Sequence, residues 1–241
     1  MEIESTPPHD FYLALDVDDY FEREYDPLEI YRKGFVRPLR LSERNVLAVI
    51  HWNERVDEPV FEVDFPRYDP TAAEREEAAA AIRRIVGADI DLRPFYEALA
   101  DDPVLGPLVE EHRGFKRLSC ADFYEDAIRS IIGTRISHDP TARRMVQDVR
   151  EAWGESFVRD GTTYYTYPRP EALADVDPEA FREYGVSGRK GEYITGLARE
   201  IAEGDLDLEW MEHADPLEFY DRAREVRGIG PWTAQSLMLR R

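Results

Sequence analysis

Apolar and aromatic residues in the first 65 positions form short runs with partial alternation, the pattern typical of β-strands. The pattern predicts four strands, over residues 11–17, 34–40, 45–51 and 59–65. Between the first two, residues 18–31 are more polar and indicate a helix. This first segment is therefore predicted to be rich in strands.

A helix is predicted to follow the last of these strands. Thr71 and Glu74 have the spacing of a capping box, in which each side chain binds the backbone N–H of the other residue. The helix is expected to run to about Val86, where Gly87 supplies a residue that can end it in a left-handed conformation. Residues 1–89 are therefore predicted to form a small α+β domain.

From about residue 90 the apolar positions change to helical spacing, as at Phe123, Ile128, Ile131 and Ile132. Asp-Pro pairs suit the N-cap and the first position of a helix, and they occur at 102–103, 139–140, 177–178 and 215–216. Residues 162–168 are interpreted as a loop or a short extended piece. The fold class is therefore α+β, with a helical domain predicted over residues 90–241.

The composition excludes several classes of protein. Cys120 is the only cysteine, so an intrachain disulfide and a four-thiolate metal site are both excluded. The five histidines have no metal-ligand spacing, and we predict no metal centre built from side chains. No apolar run reaches membrane-spanning length and the chain begins with acidic residues, which indicates a cytoplasmic protein.

The net charge of −20 argues at first against a nucleic-acid partner. However, only three of the 31 basic residues are lysines, and this acidic, lysine-poor composition resembles that of proteins from salt-accumulating archaea. In such a protein the acidity is a general background. The local exception begins at Arg222, where five arginines and one glutamate give the C-terminal segment a charge of +4. Arginines that complement a helix dipole are the alternative interpretation.

This basic segment contains the most informative motif, Val-Arg-Gly-Ile-Gly-Pro-Trp-Thr-Ala at residues 226–234. Gly228 and Gly230 can both adopt positive φ, and Pro231 suits the first position of a helix. The motif predicts a tight hairpin with open backbone N–H groups beside a helix N-terminus. Such a site binds anions, and a DNA phosphate is the anion that fits.

Together with residues 123–137 and 184–193, this motif resembles the helix–hairpin–helix DNA glycosylase superfamily, most closely its 3-methyladenine DNA glycosylase II branch. The N-terminal segment resembles the TATA-binding-protein-like domain of that branch. The resemblance implies a monomer that binds double-stranded DNA with a damaged base, and a monovalent cation at the hairpin as the only cofactor. It implies DNA contacts from Gly228, Ile229, Gly230, Thr233, Arg189 and Lys190.

The resemblance also implies roles in base flipping. Thr134 and Arg135 occupy the family's wedge position, where Arg135 would fill the gap left by the flipped base; an ordinary surface arginine is the alternative. Ile136 is expected in the core. Trp232 matches a position near the base pocket, and a buried tryptophan with a packing role is its alternative. Arg189 and Lys190 can likewise be plain exposed charges.

The catalytic aspartate of the family lies after the second helix of the hairpin motif. That helix begins here at Pro231, so the aspartate is expected beyond Arg241 and no catalytic residue is assigned. Asp215 and Asp221 precede the hairpin, where capping or solvation explains them. Trp232 stands where related bifunctional enzymes carry a lysine, which favours a monofunctional enzyme.

We therefore expect a base-excision glycosylase for alkylated purines such as 3-methyladenine, with the 241-residue chain inactive as it stands. The alternative is a non-catalytic DNA-binding or damage-sensing protein. A helix–hairpin–helix module that only joins proteins is a third hypothesis. The concentration of arginine around the hairpin disfavours this third hypothesis.

Overall fold

The computed structural model describes residues 1–21, 30–31, 34–136 and 139–240. His138, Arg241 and residues 22–29 of the predicted helix over 18–31 lie outside this part of the chain. Within it, no helix combines the length and the apolar character needed to cross a membrane.

Contacts divide the chain into two compact units, Met1–Ser119 and Cys120–Arg241. The division lies well beyond the expected boundary between residues 89 and 90, because the intervening segment is bonded to the first unit. Gly114 O accepts a hydrogen bond from Asp10 N at 2.8 Å, and Ser119 N donates to Ile85 O at 2.9 Å. Backbone pairing, which leaves no compositional signal, therefore sets this boundary.

The first unit contains a five-stranded antiparallel sheet in the order β1-β5-β4-β3-β2. Its strands are β1 Glu2–Glu4, β2 Ile30–Tyr31, β3 Gly34–Arg40, β4 Asn45–Trp52 and β5 Val60–Asp64. The last three confirm the strands predicted from residue 34 onward. In β5, Phe61 and Val63 are buried while the residues between and after them are exposed, as the alternation requires. β1 and β2 are too short to leave a pattern.

The strand predicted over residues 11–17 is wrong, because Phe11–Phe21 forms helix α1. Phe11, Ala14 and Leu15 are buried at helical spacing, so the apolar run fits a helix as well as a strand. Asp10 begins the helix, and its carboxylate accepts hydrogen bonds from the N–H groups of Tyr12 and Leu13. That capping aspartate is the sequence signal that the strand prediction overlooked.

Helix α2, Ala72–Val86, confirms the predicted capping box and its glycine stop. Glu74 N donates to the Thr71 hydroxyl at 3.3 Å, and Thr71 N donates to the Glu74 carboxylate at 2.8 Å. Gly87 ends the helix with φ of +67°. Two short helices complete the unit, α3 Arg93–Leu99 and α4 Leu105–Glu111.

The second unit is mainly helical. Its elements are α5 Phe123–Gly133, α6 Asp139–Trp153, β6 Ser156–Arg159, β7 Thr162–Tyr165, α7 Pro170–Ala174, a 3-10 helix Pro178–Tyr184, α8 Gly188–Ala202, α9 Leu208–His213, α10 Pro216–Glu225 and α11 Pro231–Met238. Helix α5 contacts α6, α8, α9 and α11, and its apolar residues Phe123, Ile128, Ile131 and Ile132 are buried as predicted. Helix α5 is therefore central to the second unit, and these four helices pack against it.

The Asp-Pro pairs play the predicted capping role where proline is the first helical residue. Asp177 and Asp215 each accept a backbone N–H of the following turn, with proline at the start of the helix. Asp102 also accepts two N–H groups, although α4 begins only at Leu105, after Pro103. Strand β7 confirms the short extended piece predicted within residues 162–168. Its partner β6, at 156–159, is a correction to the helical prediction for this domain.

A buried polar cluster lies within the first unit. Ser5 Oγ donates to Ala88 O at 3.0 Å, which leaves its oxygen to accept from His9 Nδ1 at 2.8 Å. The Lys116 ammonium donates to Thr6 O at 2.7 Å. His9 is fully buried, and its Nε2 bonds to none of the described residues. Burial, reinforced by the nearby charge of Lys116, lowers the pKa of His9 to about 3.

We predict that His9 makes the stability of the protein sensitive to acid. Below pH 6.5 the unfolded chain binds a proton that folded His9 does not, so the free energy of unfolding falls as pH decreases towards 3. The expected contribution is roughly 3 kcal/mol between pH 7 and pH 4. His9→Gln should flatten this part of the profile, measured by urea unfolding at a series of pH values. Parallel profiles for wild type and variant would contradict the prediction.

Candidate nucleic-acid interface

The predicted hairpin is present between α10 and α11. Gly228 has φ of +100°, and the N–H of Ile229 donates to Val226 O at 3.1 Å, which closes the turn. The Ile229 side chain is only 4% exposed and belongs to the apolar core of the second unit. The hairpin is therefore anchored by its central side chain, while its backbone lies at the surface.

The two glycines are required for different reasons. Gly228 adopts positive φ as predicted, and a Cβ there would lie 2.5 Å from Cδ2 of Tyr193 on α8. Gly230 does not adopt positive φ, contrary to expectation; its φ is −88°, and it is the N-cap of α11. Because the left-handed residue Gly228 is sufficient to reverse the chain, Gly230 can adopt an extended conformation at the start of α11. No atom lies within 4 Å of a Cβ built at Gly230.

The backbone around Gly230 is open for a ligand. No side chain caps α11, and in the described part of the chain the N–H groups of Gly228 and Gly230 have no acceptor. Pro231 is the first helical residue and has no N–H, so the helix N-terminus presents the donors that follow it. Open N–H groups at the positive end of a helix dipole attract anions.

Thr233 and Trp232 differ in their exposure. Thr233 is 6% exposed, so its hydroxyl lies largely within the protein. Trp232 is 76% exposed on the first turn of α11. Its ring is therefore much more exposed than that of a packing residue, and an external aromatic or cationic group can reach it.

Arg189 and Lys190 lie in the first turn of α8, which Ser187 caps by accepting the N–H of Lys190 at 3.4 Å. The Lys190 ammonium donates to Ile132 O, in the last turn of α5, at 2.7 Å. Burial lowers the pKa of Lys190. This lysine therefore ties α8 to the end of α5, whereas the guanidinium of Arg189 lies at the surface.

The predicted wedge segment follows the end of α5. The Thr134 hydroxyl donates to Ser130 O at 2.8 Å and so satisfies a carbonyl in the last helical turn. Arg135 is exposed and has φ of +63°, a conformation that costs an arginine on the order of 1–3 kcal/mol. Ile136 is half-buried and not in the core, because the chain turns there and its N–H donates to Gly133 O.

The fold brings the predicted segments together around the start of α8. Lys190 joins α8 to the segment that carries Thr134 and Arg135, and Tyr193 packs against Gly228 of the hairpin. Tyr193 also accepts a hydrogen bond from Arg189 Nε at 2.6 Å. Sequence reasoning did not assign Tyr193, although it lies one helical turn after Arg189, a spacing that places the two side chains on one face.

The comparison with protein families agrees with this geometry. Residues 128–234 match the family described as HhH-GPD superfamily base excision DNA repair protein. The second unit therefore contains an HhH-GPD superfamily domain. The match covers the second half of α5, the whole of α8, the hairpin and the start of α11, which carry the candidate interface.

The chain is similar to individual proteins in sequence and in fold. The chain is similar to the DNA-3-methyladenine glycosylase of Bacillus subtilis, with 30% identity over 166 residues, 69% of this chain and 54% of that protein. A second B. subtilis relative, the putative DNA-3-methyladenine glycosylase YfjP, is 26% identical over 99% of this chain and 78% of its own length. The chain thus spans about half of the first relative.

A 3-methyladenine DNA glycosylase from Archaeoglobus fulgidus has a similar fold. Its structure aligns with a TM-score of 0.79 over 99% of this chain and 78% of that chain, at 23% sequence identity. At this identity the alignment establishes the fold alone. The α+β class and the helix–hairpin–helix architecture are therefore confirmed.

We predict that the two hairpin glycines respond oppositely to a methyl group. Gly228→Ala should lower the free energy of unfolding by roughly 2–4 kcal/mol, because it adds both left-handed strain and a clash with Tyr193. Gly230→Ala should stay within about 1 kcal/mol of wild type, since its φ is ordinary and its surroundings are open. Urea unfolding curves measure both, and equal losses would refute the distinction.

Proposed function

We propose that this protein acts in base-excision repair as a DNA glycosylase that removes alkylated purines such as 3-methyladenine from duplex DNA. The open backbone at Gly230 is the observation that carries this proposal. Because Gly230 lies at an uncapped helix N-terminus and has no Cβ, an external anion can approach the backbone closely there. The similarity to DNA-3-methyladenine glycosylases supports a DNA phosphate as that group.

The chemistry of alkylated purines suits the residues at this surface. An N-alkylated purine carries a positive charge and leaves readily, so a monofunctional enzyme requires no strong general acid. The exposed ring of Trp232 offers a face to a flipped, cationic base. Arg135, held outward in a strained conformation, is the side chain that we propose fills the gap in the duplex.

We further propose that residues 1–241 alone bind DNA without releasing a base. In the family a carboxylate stabilises the positive charge that develops on the sugar. The segment that carries that aspartate has no counterpart among these residues. Asp215 caps α10 by accepting the N–H of Leu217 at 2.9 Å, and Asp221 is an exposed residue that precedes the hairpin. Neither residue is therefore assigned the catalytic role.

The alternative function is a non-catalytic DNA-binding or damage-sensing protein. Such a protein would keep the hairpin, the wedge segment and Trp232. It would differ from an enzyme only in lacking the carboxylate. Base release therefore distinguishes the two functions, whereas DNA binding does not.

A monovalent cation at the hairpin is the one cofactor that we propose. Within the described residues, the carbonyls of Arg227, Gly228 and Ile229 accept no hydrogen bond. Backbone carbonyl oxygens are suitable ligands for such a cation. These three carbonyls would hold it, and its charge would add to the attraction of the hairpin for phosphate.

We predict that the 241-residue chain binds a duplex oligonucleotide and that Gly230→Ala weakens this binding. The added Cβ occupies the space through which a phosphate approaches, although the fold is retained. Fluorescence anisotropy with a labelled duplex at low salt measures the effect. Gly196→Ala is the matched control, because Gly196 on α8 also has open space around it. Absence of duplex binding by wild type would overturn the proposed function.

We also predict that this chain releases no base from methylated duplex DNA, because the stabilising carboxylate is missing. Chromatographic detection of free methylated purines measures the release. A protein of the same family that carries the aspartate serves as the positive control. Release by residues 1–241 above the spontaneous rate would show that a residue among them replaces the aspartate.

A further inference from the structure

Tyr193 brings two arginines together beside the hairpin. The guanidinium carbon of Arg189 lies 5.7 Å from the centre of the Tyr193 ring, and that of Arg227 lies 5.4 Å from the same point. Arg189 Nε also donates to the tyrosine hydroxyl at 2.6 Å. Two positively charged guanidinium groups on one ring repel each other. Their proximity therefore requires either a neighbouring negative side chain or an anion that binds both groups.

Glu192, the residue before Tyr193, supplies part of this compensation. Its carboxylate accepts a hydrogen bond from Arg227 Nη2 at 3.1 Å. Both side chains of this pair are exposed, 72% for Arg227 and 49% for Glu192. An ion pair this accessible to water is weak, and a phosphate can replace its carboxylate.

We propose that Arg189 and Arg227 form a paired-guanidinium site for a DNA phosphodiester on Tyr193, and that Glu192 competes with the DNA for Arg227. The inference rests on the proposed function, because it assumes that duplex DNA approaches the hairpin. It adds two residues, Arg227 and Glu192, to which neither the motif nor the resemblance assigns a role. It also makes Tyr193 a positioning residue.

The contact between Tyr193 and Gly228 places this pair next to the open backbone. Because Gly228 has no Cβ, the tyrosine ring lies directly against the hairpin. The side chain of Arg227, the preceding residue, then reaches over the ring from the hairpin side, while Arg189 reaches it from α8. The guanidinium groups and the N–H groups of the hairpin can thus contact one stretch of DNA backbone.

The chemistry of arginine suits this task. A guanidinium is planar and can donate two hydrogen bonds to one phosphate, and it stacks on aromatic rings. The ring holds both groups before DNA arrives, which reduces the side-chain entropy lost on binding. The protein has a net charge of −20. Because the Glu192 carboxylate competes for Arg227, it also reduces the binding of anions that interact more weakly than a DNA phosphodiester.

The test is the salt dependence of duplex binding, measured by fluorescence anisotropy. Arg189→Gln and Arg227→Gln should each reduce the slope of log K against log salt by about 1, the value for one lost phosphate contact. Arg55→Gln is the matched control, since Arg55 is also an exposed arginine in an ion pair, with Glu58, and its substitution removes the same charge. It should leave the slope unchanged.

The competitor is tested by a double-mutant cycle. Glu192→Gln should tighten duplex binding by about two- to fivefold, the range expected for release of an exposed ion pair. Glu58→Gln, which breaks the exposed pair with Arg55 and changes net charge equally, is the control and should have a smaller effect. In the Arg227→Gln background, Glu192→Gln should do no more than Glu58→Gln.

The outcomes separate this inference from the proposed function. If wild type binds duplex DNA but Arg189→Gln and Arg227→Gln match Arg55→Gln in slope, the paired site is wrong while DNA binding stands. A gain from Glu192→Gln that persists without Arg227 would overturn the competitor role. If wild type binds no duplex, the proposed function fails first. Far-ultraviolet circular dichroism confirms that each variant is folded.

Discussion

The close approach of Tyr193 to the backbone of Gly228 is the constraint on which the interface depends. A side chain at position 228 would meet the ring at less than van der Waals distance, so only glycine allows the hairpin to lie on α8. Ile229 then enters the core and the open N–H groups face outward. A single contact between residues far apart in sequence thus sets the position of the anion-binding backbone.

The same region offers arginines for the proposed contact with DNA, although the protein is strongly acidic. The net charge of −20 repels DNA over the whole molecule, but such repulsion is screened within about 10 Å at moderate salt. Arginines held on an aromatic ring act at shorter range, through direct hydrogen bonds to a phosphate. Several ion pairs, such as those of Arg55, Arg182 and Arg227, are exposed and contribute little stability, so these arginines can exchange partners.

Buried polar groups have a different role in the first unit. His9 remains neutral in the apolar core, and the Lys116 ammonium is held by the Thr6 carbonyl. Burial lowers the pKa of Lys116 to about 8, so its charge is less stable there than in water. Lys116 belongs to the segment after residue 90, and its bond to Thr6 helps to attach that segment to the first unit.

The sequence by itself determined features whose causes lie within a few residues. The capping box of α2, the strands from residue 34 onward, the apolar face of α5 and the glycine hairpin depend on neighbouring side chains and on local backbone preference. The resemblance of three such segments to a known superfamily identified the family correctly. Local patterns therefore sufficed for the fold class and for the place of the hairpin.

Only the tertiary structure decided the features that depend on distant partners. Residues 11–17 form a helix because their apolar side chains pack at helical spacing, which a short apolar run does not specify. The attachment of residues 90–119 to the first unit depends on backbone hydrogen bonds that have no signature in composition. The grouping of Arg189 and Arg227 on Tyr193 required α8 and the hairpin to meet, because side chains so far apart along the chain are brought into contact only by the packing of the core between them.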